Sequence, residues 1–232
     1  MAFVLPFAAE TQTGSTAWLV IGWASLAVAF ACAGAILWDI LVRGDRSEMT
    51  IMNWVWPITA LYWGPVALYF FRTRRRERGE WFSVAKGVCH CGAGCTLGDI
   101  CGEWIVYLTA WAIPLFAAED ANTLMAMFAA DFTLAWSFGI AFQYFSIVPM
   151  REDVGKLEGV WAAIKADTFS IIAFQLGLFG YMALYHLVFW QPPLTVASPT
   201  YWMMMQIGMI AGFFTAWPVN AWLIRKGWKE KM

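Results

Sequence analysis

Ala17–Val42, AWLVIGWASLAVAFACAGAILWDILV, decides the class of fold: it is apolar throughout apart from Ser25 and Asp39 and, as a helix, is long enough to cross a bilayer. Five further apolar runs of spanning length follow, at Met52–Phe71, Gly92–Phe116, Thr123–Val148, Thr168–Trp190 and Tyr201–Ile224. The composition agrees, with 61% hydrophobic and 13% charged residues among 232, far from the balance of a soluble domain. Sixteen Trp and eighteen Phe suit aromatic belts at two membrane interfaces. The first fourteen residues hold no Lys or Arg and no adequate apolar run, so no cleavable leader is expected. No soluble domain, flexible linker or internal repeat interrupts the chain. Residues 1–232 are therefore expected to form one membrane domain, an all-α bundle of six transmembrane helices.

Basic residues set the expected orientation. With the N-terminus inside, the second loop holds Arg72, Arg74, Arg75, Arg76, Arg78 and Lys86, the fourth holds Arg151, Lys156 and Lys165, and the tail holds Arg225, Lys226, Lys229 and Lys231. Only Arg43 and Arg46 then fall outside, so both termini are predicted on the cytoplasmic side, N-in and C-in. The arginine run is read as a topology signal touching anionic headgroups, and Trp81–Ala85 as a short segment lying along the interface. Gly208-x-x-x-Gly212 and Gly177-x-x-Gly180 offer close helix approach, within one subunit or across a homodimer face.

Polar chemistry gathers in Cys89-His-Cys-Gly-Ala-Gly-Cys-Thr-Leu-Gly-Asp-Ile-Cys-Gly-Glu103, which holds four of the five cysteines and one of the two histidines. With a helix starting near Gly92, Cys91, Cys95, Asp99 and Glu103 recur every four residues and form a ladder on one face. A helix N-terminus there would favour thiolate, the form that binds soft metals. His90, Cys91, Cys95 and Asp99 are thus the candidate metal ligands, with copper as Cu(I) favoured because it accepts two or three soft ligands. Cys89 is a possible extra ligand, Cys32 and Cys101 are read as packing residues, and Met203, Met204, Met205 and Met209 as packing with possible thioether ligation. His186 is read as an interhelical hydrogen-bond partner. Glu103, Asp131, Gln143, Lys165 and Asp167 are the candidate proton or ion path, with Gln175 deeper in the fifth span, and Lys165 is expected to pair with Asp99 or Asp167 because unpaired charge in lipid is costly.

His90-Cys-Gly-Ala-Gly-Cys-Thr-Leu-Gly-Asp99, Gly139-Ile-Ala-Phe-Gln-Tyr-Phe145 with Pro149-Met150, and Lys165-Ala-Asp-Thr168 with Ser170 resemble the family called domain of unknown function 4396, over about residues 80–190. The resemblance implies a bacterial multi-pass membrane protein and no established activity. It starts at His90, which demotes Cys89 and Cys101.

Together these residues suggest a protein of the bacterial inner membrane that binds and transports a soft metal at the cytoplasmic mouth of the third span. Its expected surroundings are lipid, a larger membrane complex or a second copy, and not nucleic acid. Three other classes remain open: a thiol-redox protein in which Cys91 and Cys95 exchange electrons, an accessory subunit of a larger membrane complex, and uptake of a small anion at a helix N-terminus.

Overall fold

The computed structural model describes residues 15–76, 79–109, 121–147, 155–189 and 194–229, and all secondary structure among them is helical. In order these are α1 (Thr16–Leu41), α2 (Met52–Trp63), α3 (Pro65–Thr73), α4 (Glu80–Thr109), α5 (Ala121–Ile147), α6 (Lys156–Leu184, ending in the π-turn Tyr185–Phe189) and α7 (Pro199–Arg225). Expected features at Met1–Gly14, at Trp111–Phe116, at Ala117–Asp120 of the third loop, at Pro149–Arg151, at Trp190, Pro192 and Pro193, at Arg78 and at Lys231 lie outside the described residues, while Ala121 and Asn122, expected in that loop, open α5.

Four segments, Thr16–Leu41, Leu124–Ser146, Leu157–Phe189 and Pro199–Arg225, are long and apolar enough to cross a membrane. Their outer faces present Val20, Trp23, Phe30, Leu176, Val188 and Phe214, the large apolar side chains a lipid-facing surface carries.

The run Met52–Phe71 is not one span. Gly64, at φ +50°, breaks it between Trp63 and Pro65, and the chain doubles back into a helical hairpin. A backbone conformation that side chains disfavour is cheap at glycine, and Pro65 starts α3 at a position needing no N–H donor. The Trp56 and Phe71 rings, eight residues before and seven after the break, meet edge to face at 6.2 Å. The tip reaches mid-bundle: Gly64 faces Val28 of α1, and Trp63 packs on Phe213 and Phe214 of α7. The far end of α3 returns to the end of α1. Arg72 Nε lies 3.1 Å from Asp39 Oδ2, and Arg74 Nη2, nearly buried, lies 3.0 Å from Asp45 Oδ1 and 2.7 Å from the Asp45 carbonyl.

The hairpin changes the count of helix ends. Arg43 and Arg46, expected on the side opposite the other basic residues, sit beside Arg72, Arg74 and Arg75, at the end that also holds Lys86, Lys165, Arg225, Lys226 and Lys229. The start of α1 lies at the other end, where Gly22 abuts Pro199 and Thr200 and Ser25 hydrogen-bonds Gln206. The two termini of the described chain therefore lie at opposite ends of the bundle.

A second expectation also changes. Trp81–Ala85 is not a separate interfacial segment; it is the first turns of α4, which starts at Glu80. Helix α4 is the most polar of the long helices and the innermost, covered by α5, α6, α7 and the hairpin. Against α5 it approaches backbone to backbone: Gly94 meets Gly139, Gly98 meets Ala135, and Gly102 meets Asp131. Small residues every fourth position on both helices make this antiparallel contact possible. On the other flank Gly177, Gly208 and Gly212 pack α6 against α7 within the subunit, while Gly180 faces open space.

Candidate functional site

Burial of α4 places its polar ladder inside the protein. His90, Cys91, Cys95 and Asp99 have no exposed surface, and Glu103, Asp131, Gln143 and Asp167 are almost completely buried. From Gly87 to Glu103 the ladder rises about 24 Å, most of the thickness of a bilayer core.

At the basic end, Gly227 at φ +69° turns the chain after α7, and the backbone N–H groups of Trp228 and Lys229 both bond the Leu223 carbonyl. This reversal sends the Lys229 side chain inward. Its ammonium, fully buried, donates to Asp167 Oδ1 at 2.6 Å, Asn220 Oδ1 at 2.8 Å and the Gly87 carbonyl at 3.1 Å. The partner expected for Asp167 or Asp99 was Lys165. That side chain is exposed and lies over the Trp228 ring at 4.6 Å, because its position on α6 faces away from the interior.

From Asn220 the polar contacts pass inward. Asn220 Nδ2 donates to Ser170 Oγ at 2.6 Å, and Ser170 Oγ donates to Cys91 Sγ at 2.9 Å. The thiol of Cys91 in turn points to the Val88 carbonyl at 3.4 Å. Cys95 follows one turn deeper. Two turns past Cys91, Asp99 Oδ1 accepts from Gln175 Nε2 at 2.9 Å, while its Oδ2 has no hydrogen-bond partner. Glu103 and Asp131 come next, side by side with Tyr201, and Asp131 occupies the room Gly102 leaves. Glu103 Oε2 and Asp131 Oδ1 are also without a partner. Among the described residues no Lys or Arg pairs with Asp99, Glu103 or Asp131.

His90 lies off this file. Its ring meets Phe142 of α5 edge to face at 6.3 Å, and neither ring nitrogen has a hydrogen-bond partner. The α4–α5 register puts Gln143, whose Oε1 is likewise unpartnered, level with His90. The Tyr62 hydroxyl from the hairpin fills the space at Gly92, where a Cβ would come within 2.6 Å of it. All five cysteines are free, and Cys101 is the only partly exposed cysteine of the quoted α4 stretch. His186 sits in the π-turn with its ring against Tyr185 and Tyr201. A separate cavity of about 280 Å³ between α1, α4 and α7, lined by Leu26, Phe30, Ile100, Trp104 and Met205 among others, contains no titratable side chain.

One expectation about the thiols changes here. Cys91 is eleven residues inside α4, so no free helix N-terminus lies beside it to favour thiolate or receive an anion. Among the described residues no group of three or more His, Cys, Asp or Glu side chains is placed to hold a metal ion. His90 and Cys91 are adjacent in sequence and so project about 100° apart on a helix. Sequence reasoning missed Lys229, Asn220 and Ser170. Of these, Lys229 carried a readable signal, a lone Gly two residues before it that ends the helix with a turn.

The apolar helices around a polar inner helix define the class, a helical membrane protein. Within it, residues 80–229 match the model of the domain of unknown function family DUF4396, and the chain belongs to that family. The match begins at the first residue of α4, takes in α7 and ends at Lys229, beyond the Lys165–Ser170 motif of α6, the last of the three that suggested it. No curated protein and no solved structure matches the chain.

Proposed function

We propose that this protein moves protons across a bacterial inner membrane along the buried α4 file. The observation that supports the reading is the set Asp99, Glu103 and Asp131, three interior carboxylates, each with an oxygen lacking a partner and none with a paired Lys or Arg among the described residues. Neighbouring carboxylates in a low-dielectric interior cost least when they share protons or hold a cation, and such groups inside membranes serve ion pathways. Gln175, Ser170, Asn220 and Asp167 extend the line of exchangeable hydrogen bonds to the basic end. That end faces the cytoplasm by the positive-inside rule. The chain then crosses five times, through α1, α4, α5, α6 and α7, with the α2–α3 hairpin entering and leaving from the cytoplasm. The N-terminus is outside and the C-terminus inside.

The test is proton flux into proteoliposomes carrying an entrapped pH dye, driven by a potassium diffusion potential. Glu103→Gln and Asp131→Asn, which preserve volume and remove a titrating site, each lower the flux about a hundredfold or more, the range general acid–base groups supply. Full flux in both variants refutes the reading. Soft-metal transport is the second reading, favoured by three free, fully buried thiols, Cys89, Cys91 and Cys95, on the same helix. Cu(I) bound by two of them is lost in Cys91→Ser and Cys95→Ser alike, and absence of copper uptake by wild-type protein removes it.

A further inference from the structure

We infer that Asp167, Asn220 and the Gly87 carbonyl form a binding site for a monovalent cation at the cytoplasmic mouth of the file, and that Lys229 is its tethered occupant. Three oxygens converge on one ammonium: a carboxylate at 2.6 Å, an amide oxygen at 2.8 Å and a backbone carbonyl at 3.1 Å. This is the donor set of a hard, weakly charged cation, one carboxylate and two neutral oxygens. A single carboxylate balances one positive charge, so a divalent ion would leave net charge buried. Asp167 Oδ2, buried and without a partner, is a fourth oxygen the lysine does not use. The occupant arrives on a flexible stem from the tail side of Gly227, not from a packed helix face. Gly87 lies against the occupant: a Cβ there would be in ordinary contact with Lys229 Cε at 3.7 Å and Asn220 Oδ1 at 3.5 Å. Directly below, Asn220 holds Ser170, which holds Cys91, so whatever fills the site stands at the head of the file.

Withdrawal of the tail would free the site for a solvent cation and open the file to the cytoplasm. The inference rests on the proposed proton path for this gating consequence alone; occupancy itself does not depend on transport.

The experiment is cation rescue of the full-length protein in detergent. Lys229→Ala leaves Asp167 buried without a counter-charge and lowers the melting temperature. Methylammonium chloride, or sodium chloride, raises it again and saturates, whereas N-methylglucamine chloride at equal ionic strength does not. The double variant Lys229→Ala with Asp167→Asn, which has no charge to balance, shows no such rise. Lys229→Gln supplies the same titration with less lost volume if the alanine variant accumulates poorly. A melting temperature in both single variants indifferent to every cation, or failure of both to fold at any cation concentration, overturns the site and leaves Lys229 a structural ion pair. In the proteoliposome assay Lys229→Ala raises proton flux severalfold and methylammonium suppresses the gain. Saturable rescue without any flux, in wild type or variant, upholds the site and refutes the transport reading instead.

Discussion

Gly94→Ala tests the geometry on which the file depends. A Cβ at Gly94 would stand 2.6 Å from Gly139 Cα, 2.7 Å from its nitrogen and 3.2 Å from the Phe138 carbonyl carbon, where ordinary contact begins near 3.4 Å. The shortfall of 0.8 Å, 3.4 less 2.6, falls against backbone, which has no rotamer to escape into. Helices α4 and α5 must separate by most of that distance, loosening the same seam at Gly98 and Gly102. Overpacking of this kind costs about 1–3 kcal/mol, roughly a tenfold to hundredfold loss in the folding equilibrium. Helix propensity works the other way by about 1 kcal/mol, so the net loss is about 0–2 kcal/mol from that balance. Gly34 and Gly180 calibrate it, because each is helical with nothing within 4 Å of a Cβ. The measurement is denaturant unfolding in mixed micelles, with Gly34→Ala and Gly180→Ala as the zero-contact series. Gly94→Ala is expected about 1–3 kcal/mol below that series. Stability equal to theirs would mean that α4 and α5 do not touch at this seam, and that the burial of Asp99, Glu103 and Asp131 has been misread.

Topology and thiol access give two further tests. Reporter fusions at Gly44, Gly79 and Gly155 are all expected in the cytoplasm and one at Ser198 outside; an external reporter at Gly44 with an internal one at Gly79 would restore a spanning Met52–Phe71 and refute the hairpin. Cys101 is expected to react with a maleimide in folded protein while Cys89, Cys91 and Cys95 wait for unfolding, read by mass spectrometry; prompt labelling of Cys91 or Cys95 would place the file in contact with water.

The long apolar helices were legible because length and composition alone determine what lipid accepts: Ala17–Val42 and Tyr201–Ile224 lie within about two residues of α1 and α7. The hairpin was not, although Trp63-Gly64-Pro65 punctuates its centre, because total apolarity masks a break whose cause is one glycine dihedral. The error then spread to orientation: a segment that returns to its own side brings Arg43 and Arg46 to the end holding the other basic residues and puts the start of α1 at the opposite end, while the sides of the later loops are unchanged. For the site, the four-residue spacing of Cys91, Cys95, Asp99 and Glu103 correctly gave one interior face, as periodicity can. What sits opposite that face depends on helix order and tertiary register, which periodicity does not encode. Glu103 and Asp131 were assigned to one path, and the two do meet; Lys229 was counted only among the basic residues of the tail, and Lys165 was named as the partner instead.

Helix α4 is not among the segments apolar enough to cross a membrane unaided, yet α5, α6, α7 and the hairpin pack around it. During synthesis it leaves the ribosome before the three helices that will cover its carboxylates and its glycine edge. A lone helix of this composition gains little from lipid, and polar atoms left facing hydrocarbon would cost several kcal/mol each. Its favourable position exists only once α5, α6 and α7 are present to receive it. A stable place for α4 therefore requires α5, α6 and α7, and the family match, residues 80–229, takes in all four helices.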